Sequence, residues 1–235
     1  MNDKIAKQQL NVIVLVDTSK SMQGKRIKQV NGALRDIRQH LVEMQDDNAN
    51  VSFQITVIPF GNTAYYLNGD RAKEIENFTF RDLKGGGWSN LHLAYDKLTY
   101  ILKKQCQGGI MPDFGGVAPI ILLMTDGHPT KYPLKKEMEA LRALPWFRAA
   151  LKYGISIMHD DEKTHRVLEE FVDGNGDVID CYDADLLQNL IKVIVLTASK
   201  VKSSLTGAGQ GAPMPKNAQV VQQVKQILAE VEWEW

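Results

Sequence analysis

Asp17, Ser19 and Ser21 place one carboxylate and two hydroxyls at alternate positions of a single short stretch, Asp17-Thr18-Ser19-Lys20-Ser21. These are hard oxygen donors, suited to magnesium or manganese rather than to a soft ion. Short side chains on every second residue of a tight loop share a side and can converge on one point. The same pentad also reads as a helix-capping turn, so its meaning depends on what else the chain brings to it. A second carboxylate occurs in Thr125-Asp126-Gly127-His128-Pro129, and a further hydroxyl, Ser89, follows Gly85-Gly86-Gly87-Trp88. Glycines let a backbone approach something closely, and serine is favoured at a helix start.

The elements around these residues are what would bring them together. Asp17 follows the apolar run Val12-Ile13-Val14-Leu15-Val16, and Asp126 follows Ile120-Ile121-Leu122-Leu123-Met124 with one residue between. Both runs read as buried strands, so both carboxylates lie at carboxyl ends of strands, where ligands gather in open α/β sheets. Ser89 opens the helical pattern Leu91, Ala94, Leu98, Ile101, Leu102, which the glycines at 108–109 are expected to close. Ile27, Val30, Leu34, Ile37 and Leu41 mark an earlier helix, and residues 51–60 a strand. Residues 63–67 are expected to form an antiparallel edge strand, because the connection is too short for a helical crossover. A helix over 133–151, interrupted before Pro145, leads to a strand at 155–158. A helix over 162–172, a strand at 178–181 and a long helix over 183–205 complete the order. That alternation predicts a doubly wound α/β fold: a mostly parallel central sheet with one antiparallel edge strand and helices on both faces.

In these motifs the chain resembles the von Willebrand factor A domains, whose metal-ion-dependent adhesion site (MIDAS) combines an Asp-x-Ser-x-Ser loop, a hydroxyl loop and an Asp-Gly loop. The resemblance spans about residues 9–201 and implies the VWA, Rossmann-like version of that fold. It implies that Ser19 and Ser21 bind a divalent cation directly, and that Asp17 and Asp126 hold it directly or through water. Ser89 stands where the family commonly has threonine, His92 where it has a glycine, and Lys20 replaces another frequent glycine; no oxygen donor is altered. Within the superfamily, Asp17 to Met22, Gly24, Val30-Asn31, Thr125 to Thr130 and the segment around Asp180 and Asp183 are similar to the bacterial tellurite-resistance TerY-like group.

Bulk properties narrow the function classes. Among 235 residues, 28 acidic and 28 basic side chains balance, which removes any bulk electrostatic reason to expect nucleic acid. Cys106 and Cys181 alone occur, far apart, and read as free thiols of a reducing compartment. No apolar run approaches the roughly 20 residues that span a bilayer, and no signal-like segment opens the chain, so no membrane role and a cytoplasmic location are expected. Residues 1–205 read as the VWA-like domain and 206–216, rich in Gly, Ala and Pro, as a linker. Residues 217–235 read as an amphipathic helical tail ending in Trp233 and Trp235, which either folds back or docks on a partner.

Other signals carry less. Residues 173–184 begin like a calcium loop, but Val178 and Ala184 occupy the glycine and glutamate positions, so a turn is expected. No zinc pairing accompanies His92 or His128, no phosphate loop exists, and no catalytic residue can be proposed. His128 and Trp88 are candidates for contacting a partner, with core packing the alternative for Trp88. The reading is a non-enzymatic, Mg2+-dependent (or Mn2+-dependent) module whose cation is completed by a Glu or Asp of a protein partner. By the TerY-like resemblance, it is an adaptor in an intracellular bacterial stress-response or defence assembly with a protein kinase and a phosphatase. The alternatives are a magnesium-dependent hydrolase and a scaffold with a vestigial site that binds through its tail.

Overall fold

A computed structural model describes residues 8–47, 51–69, 72–158, 161–174, 176–182 and Leu187. Six strands form one sheet in the order β3-β2-β1-β4-β5-β6. These are β1 (Gln8–Asp17), β2 (Val51–Phe60), β3 (Lys73–Glu74), β4 (Ile120–Thr125), β5 (Leu151–Ile157) and β6 (Gly176–Cys181). Every pairing is parallel except β2 with β3. The helices are α1 (Lys25–Asp47), α2 (Leu91–Ile101), α3 (Lys135–Ala143), α4 (Pro145–Ala149) and α5 (Glu162–Val172).

The apolar run in β1 has no polar face because both of its faces are covered. Leu10, Val12, Val14 and Val16 pack with Ile27, Val30, Leu34, Ile37 and Leu41 of α1. Ile13 and Leu15 point the other way, into a second cluster with Leu91, Leu98 and Ile101 of α2, Met138 of α3 and Leu168 of α5. The two-residue period of a strand divides the side chains between these layers. Each fully buried Leu, Ile or Val contributes roughly 1.5–3 kcal/mol of burial free energy, so the two layers hold the strands rigidly.

Strand β1 pairs with β2 on one side and β4 on the other, so the winding reverses across it. Neighbouring connections diverge from the β1/β4 boundary at the carboxyl ends, and a crevice opens there. Asp17 ends β1, and Asp126 immediately follows β4.

Three expectations shift in place. Residues 63–67 run beside β2, with Tyr65 N–H donating to Pro59 O (3.3 Å) and Leu67 N–H to Val57 O (3.0 Å). They form only a bridge at Ala64; the antiparallel edge strand is Lys73–Glu74, paired with Ile55 and Gln54. Helix α2 ends at Ile101 rather than near Gly108, because the chain doubles back and Ile110 N–H takes the Ile101 carbonyl (2.9 Å). The helix expected over 133–151 is interrupted before Pro145 as expected, Pro145 opening α4 at its first turn, but the helical stretch starts at Lys135 and stops at Ala149. Residue 151 already belongs to β5, since Leu151 pairs with Ile120 at the start of the sheet. The calcium-like segment begins with a turn at Asp173 and Gly174, Asp173 capping α5 in the left-handed region, and β6 starts at Gly176. Cys106 and Cys181 are free thiols. The linker at 206–216, the tail at 217–235 with Trp233 and Trp235, and most of the helix expected from residue 183 lie outside the described residues.

Candidate metal centre

The loop after β1 has to turn at once, and Asp17 organises the turn with its own side chain. Its Oδ1 accepts the Ser19 N–H (2.8 Å), which holds Ser19 and Ser21 on one side. The two serine hydroxyls lie 3.0 Å apart, and Ser21 Oγ donates to Asp126 Oδ1 at 2.7 Å. On the other side, Asp17 Oδ2 accepts from Ser89 Oγ (2.8 Å) and Thr125 Oγ1 (2.7 Å). Asp17, Ser19, Ser21, Ser89 and Asp126 are thus brought together by three loops distant in sequence.

Backbone bonds lock the loops to each other. Lys20 N–H donates to Gly87 O (3.0 Å), and Gly86 N–H donates to Thr18 O (2.8 Å). Ser89 N–H donates to Thr130 Oγ1 (3.0 Å), and Thr130 N–H returns to Ser89 O (2.8 Å). The hydroxyl loop therefore touches both carboxylate loops through main chain, which fixes its distance to each.

Asp17 is completely buried, Asp126 2 % exposed and Ser19 and Ser89 below a tenth. Burial raises the Asp17 carboxyl above its ordinary value, opposed by the hydrogen bonds from the Ser19 N–H and from the Thr125 and Ser89 hydroxyls. Asp126 Oδ2 is buried and receives no hydrogen bond among the described residues. A carboxylate oxygen with unused lone pairs beside a desolvated carboxylate is an environment that favours a cation. Among the described residues, no three His, Cys, Asp or Glu side chains cluster, so two carboxylates alone cannot saturate an ion. The serine hydroxyls supply the remaining oxygens, and a set of this hardness suits magnesium, manganese or, in four-fold coordination, zinc. The residues present fit a divalent cation.

The cluster forms the floor of an open cleft of about 440 Å³. Trp88 lies on its wall and is 67 % exposed, so the core alternative for this tryptophan is excluded. His128 also lines the cleft, its ring 4.8 Å from that of Tyr132. His92 is not among the lining residues. Three contributors escaped sequence reasoning. Thr125, the last β4 residue, donates its hydroxyl to Asp17 Oδ2. Asp161 lines the cleft while capping α5 through the Lys163 and Thr164 N–H groups. Arg26, in the first turn of α1, places Nη1 3.3 Å from Asp126 Oδ2; only the backward lean of a helical side chain brings it there.

Residues 11–190 match the family model described as the von Willebrand factor type A domain. A 120-residue stretch is 28 % identical to the bovine inter-alpha-trypsin inhibitor heavy chain H4, covering 51 % of this chain and 13 % of that protein. A von Willebrand factor type A structure from Catenulispora acidiphila superposes with a TM-score of 0.60 at 12 % identity, over 81 % of this chain and 43 % of the other. Proximal thread matrix protein 1 from the mussel byssus, in a structure with a zinc-occupied MIDAS motif, superposes with a TM-score of 0.51 at 19 % identity, over 83 % and 48 %. The chain thus spans less than half the length of each of these proteins.

Proposed function

The chain belongs to the von Willebrand factor type A domain family, and from that premise we propose that it is a metal-dependent protein-interaction module. Asp17, Ser19, Ser21, Ser89 and Asp126 would hold the divalent ion, Mg2+ or Mn2+ by the hardness of the donors. When bound, the ion supplies a strongly polarising positive centre that a partner's Glu or Asp can ligate. The observation that carries this reading is the hydrogen-bonded cluster of two carboxylates and three hydroxyls on the floor of an open cleft.

The chain's own residues make the cleft suited to an acidic segment. Lys20 and Arg26 contribute positive charge to its lining, and exposed Trp88 offers a rigid aromatic surface beside it. A contact of this kind gains from a desolvated charge pair at the centre and an aromatic anchor at the rim. In this reading the site binds a partner rather than transforming a substrate, and the purified chain is expected to show no metal-dependent phosphatase or nuclease turnover. Zinc in the mussel protein's MIDAS supports divalent-ion chemistry for this geometry.

The finer identity follows the TerY-like motifs: an adaptor in the bacterial cytoplasm, in a stress-response or defence assembly containing a protein kinase and a phosphatase. Among the described residues no helix is long and apolar enough to cross a membrane. Affinity capture from the native host, with magnesium or with chelator, tests the whole reading. Asp17→Ala and EDTA should each abolish capture of the same proteins while circular dichroism stays native. Capture that persists in both cases would overturn it.

A further inference from the structure

Among the described residues, Arg26 is the basic side chain that pairs with a proposed ligand, Asp126, and its surroundings are unusual in two ways. First, its guanidinium is anchored by carbonyl oxygens rather than by the carboxylate. Nη1 donates to Ser21 O (3.0 Å) and Nη2 to Met158 O (3.3 Å). Met158 has φ 50, a left-handed backbone that side-chain-bearing residues rarely adopt, at the site end of β5. Second, its approach to Asp126 Oδ2, 3.3 Å, is an ion pair without a hydrogen bond. Charge-assisted bonds of this type are normally about 2.7–2.9 Å. Arg26 therefore balances the Asp126 charge through its field while leaving the oxygen's lone pairs unused. The Asp126 side chain is wholly buried and that of Arg26 is 30 % exposed, so water screens the pair only in part.

We propose that Arg26 is the resident counter-cation of this site: it neutralises Asp126 in the absence of a divalent ion and, held in place by Ser21 and Met158, weakens the site's hold on a bare ion. The proposal rests on the metal-centre reading and adds a residue that sets its affinity. With its charge tethered to two carbonyls, Arg26 stays beside the site whichever cation Asp126 faces. Two positive centres then share one carboxylate, and an incoming partner carboxylate relieves their repulsion. Arg26 thereby favours occupancy by ion and acidic partner together over occupancy by the ion alone.

The full chain and its Arg26→Gln and Arg26→Lys variants test this by titration calorimetry with MgCl2 and MnCl2, alongside thermal melts in EDTA. Arg26→Gln should bind Mg2+ about tenfold more tightly, the effect of removing one partly screened unit charge at this range. It should also melt below the wild type in EDTA, since the buried carboxylates lose their counter-charge. Arg26→Lys, which keeps the charge without the fork, should fall between. A merely structural arginine would instead lower the melting temperature and the affinity together. Arg26→Gln binding Mg2+ no more tightly than a wild type that does bind it overturns this proposal alone. Absence of Mg2+ and Mn2+ binding in all three proteins overturns the metal-centre reading and this proposal with it.

Discussion

A carboxylate with no exposed surface is charged against the pull of desolvation, and at Asp17 the Ser19 N–H and two hydroxyls oppose that pull. Ser89 is the donor among them that reaches from another loop, so its hydroxyl joins site geometry to stability. Removing a buried hydrogen bond to a charged group costs about 1–3 kcal/mol. Ser89→Ala should therefore lower the unfolding free energy in EDTA by that amount and weaken Mg2+ binding, whereas Ser89→Thr should keep both close to wild type. Urea unfolding and calorimetry measure the two, and an alanine variant indistinguishable from wild type would show that Ser89 is not part of the site. That Asp17, Ser19, Ser21, Ser89 and Asp126 would converge was legible from sequence, because hard donors recur at two strand ends and a helix start. Thr125 and Arg26 were not, since a hydroxyl inside an apolar strand and a basic residue opening a helix look like ordinary strand-end and surface chemistry.

Among the elements, the hydroxyl loop is the most demanding, because its main chain must lie against the Asp17 loop. Gly87 has φ 84, and a Cβ there would come 2.4 Å from Asn62 Oδ1, the atom that accepts the Trp88 N–H. Gly87→Ala should therefore combine left-handed strain of about 1 kcal/mol with displacement of Trp88 and Ser89. Gly69→Ala isolates the strain, since Gly69 has φ 72 and nothing within 4 Å of a built Cβ. The expected outcome is a modest loss of stability in both variants and a fall in Mg2+ affinity only at Gly87. Equal affinities would mean that the loop's close approach does not set the site. The strands β1, β2 and β4 were readable because continuous apolar runs survive only when both faces are covered. The helix over 133–151 was overextended for a related reason: Leu151 is apolar like a helix-face residue, and only its register with Ile120 assigns it to the sheet. The edge strand lies ten residues beyond the expected 63–67 because those residues follow β2 without completing a ladder.

At the scale of the whole molecule the two ends of the sheet carry different burdens: the carboxyl ends of β1 and β4 hold the site, and the opposite end buries a cation. Lys152, second residue of β5, is 1 % exposed. Its Nζ donates to Phe147 O (3.1 Å) and lies 4.6 Å from the Phe147 ring centre. Burial pulls its pKa from 10.5 down to about 8, with the Asp173 charge opposing and Arg142 adding to the fall. Below pH 8 both the folded and the unfolded chain hold this proton, and the fold bears the full cost of a buried charge, about 3 kcal/mol. Between about pH 8 and 10.5 the folded chain has released the proton while the unfolded chain retains it. The unfolded state then binds more protons, so this residue's contribution to stability rises with pH across that window and levels off above it. Lys152→Met removes the titration while filling similar volume. Urea unfolding from pH 7 to 10 should show the methionine variant gaining over wild type most at pH 7, with the difference shrinking by about 2 kcal/mol toward pH 10. Parallel stability curves would mean that Lys152 is not charged at a cost in the folded chain. Mg2+ affinity should be the same in both proteins, because the substitution lies at the end of the sheet away from Asp17 and Asp126.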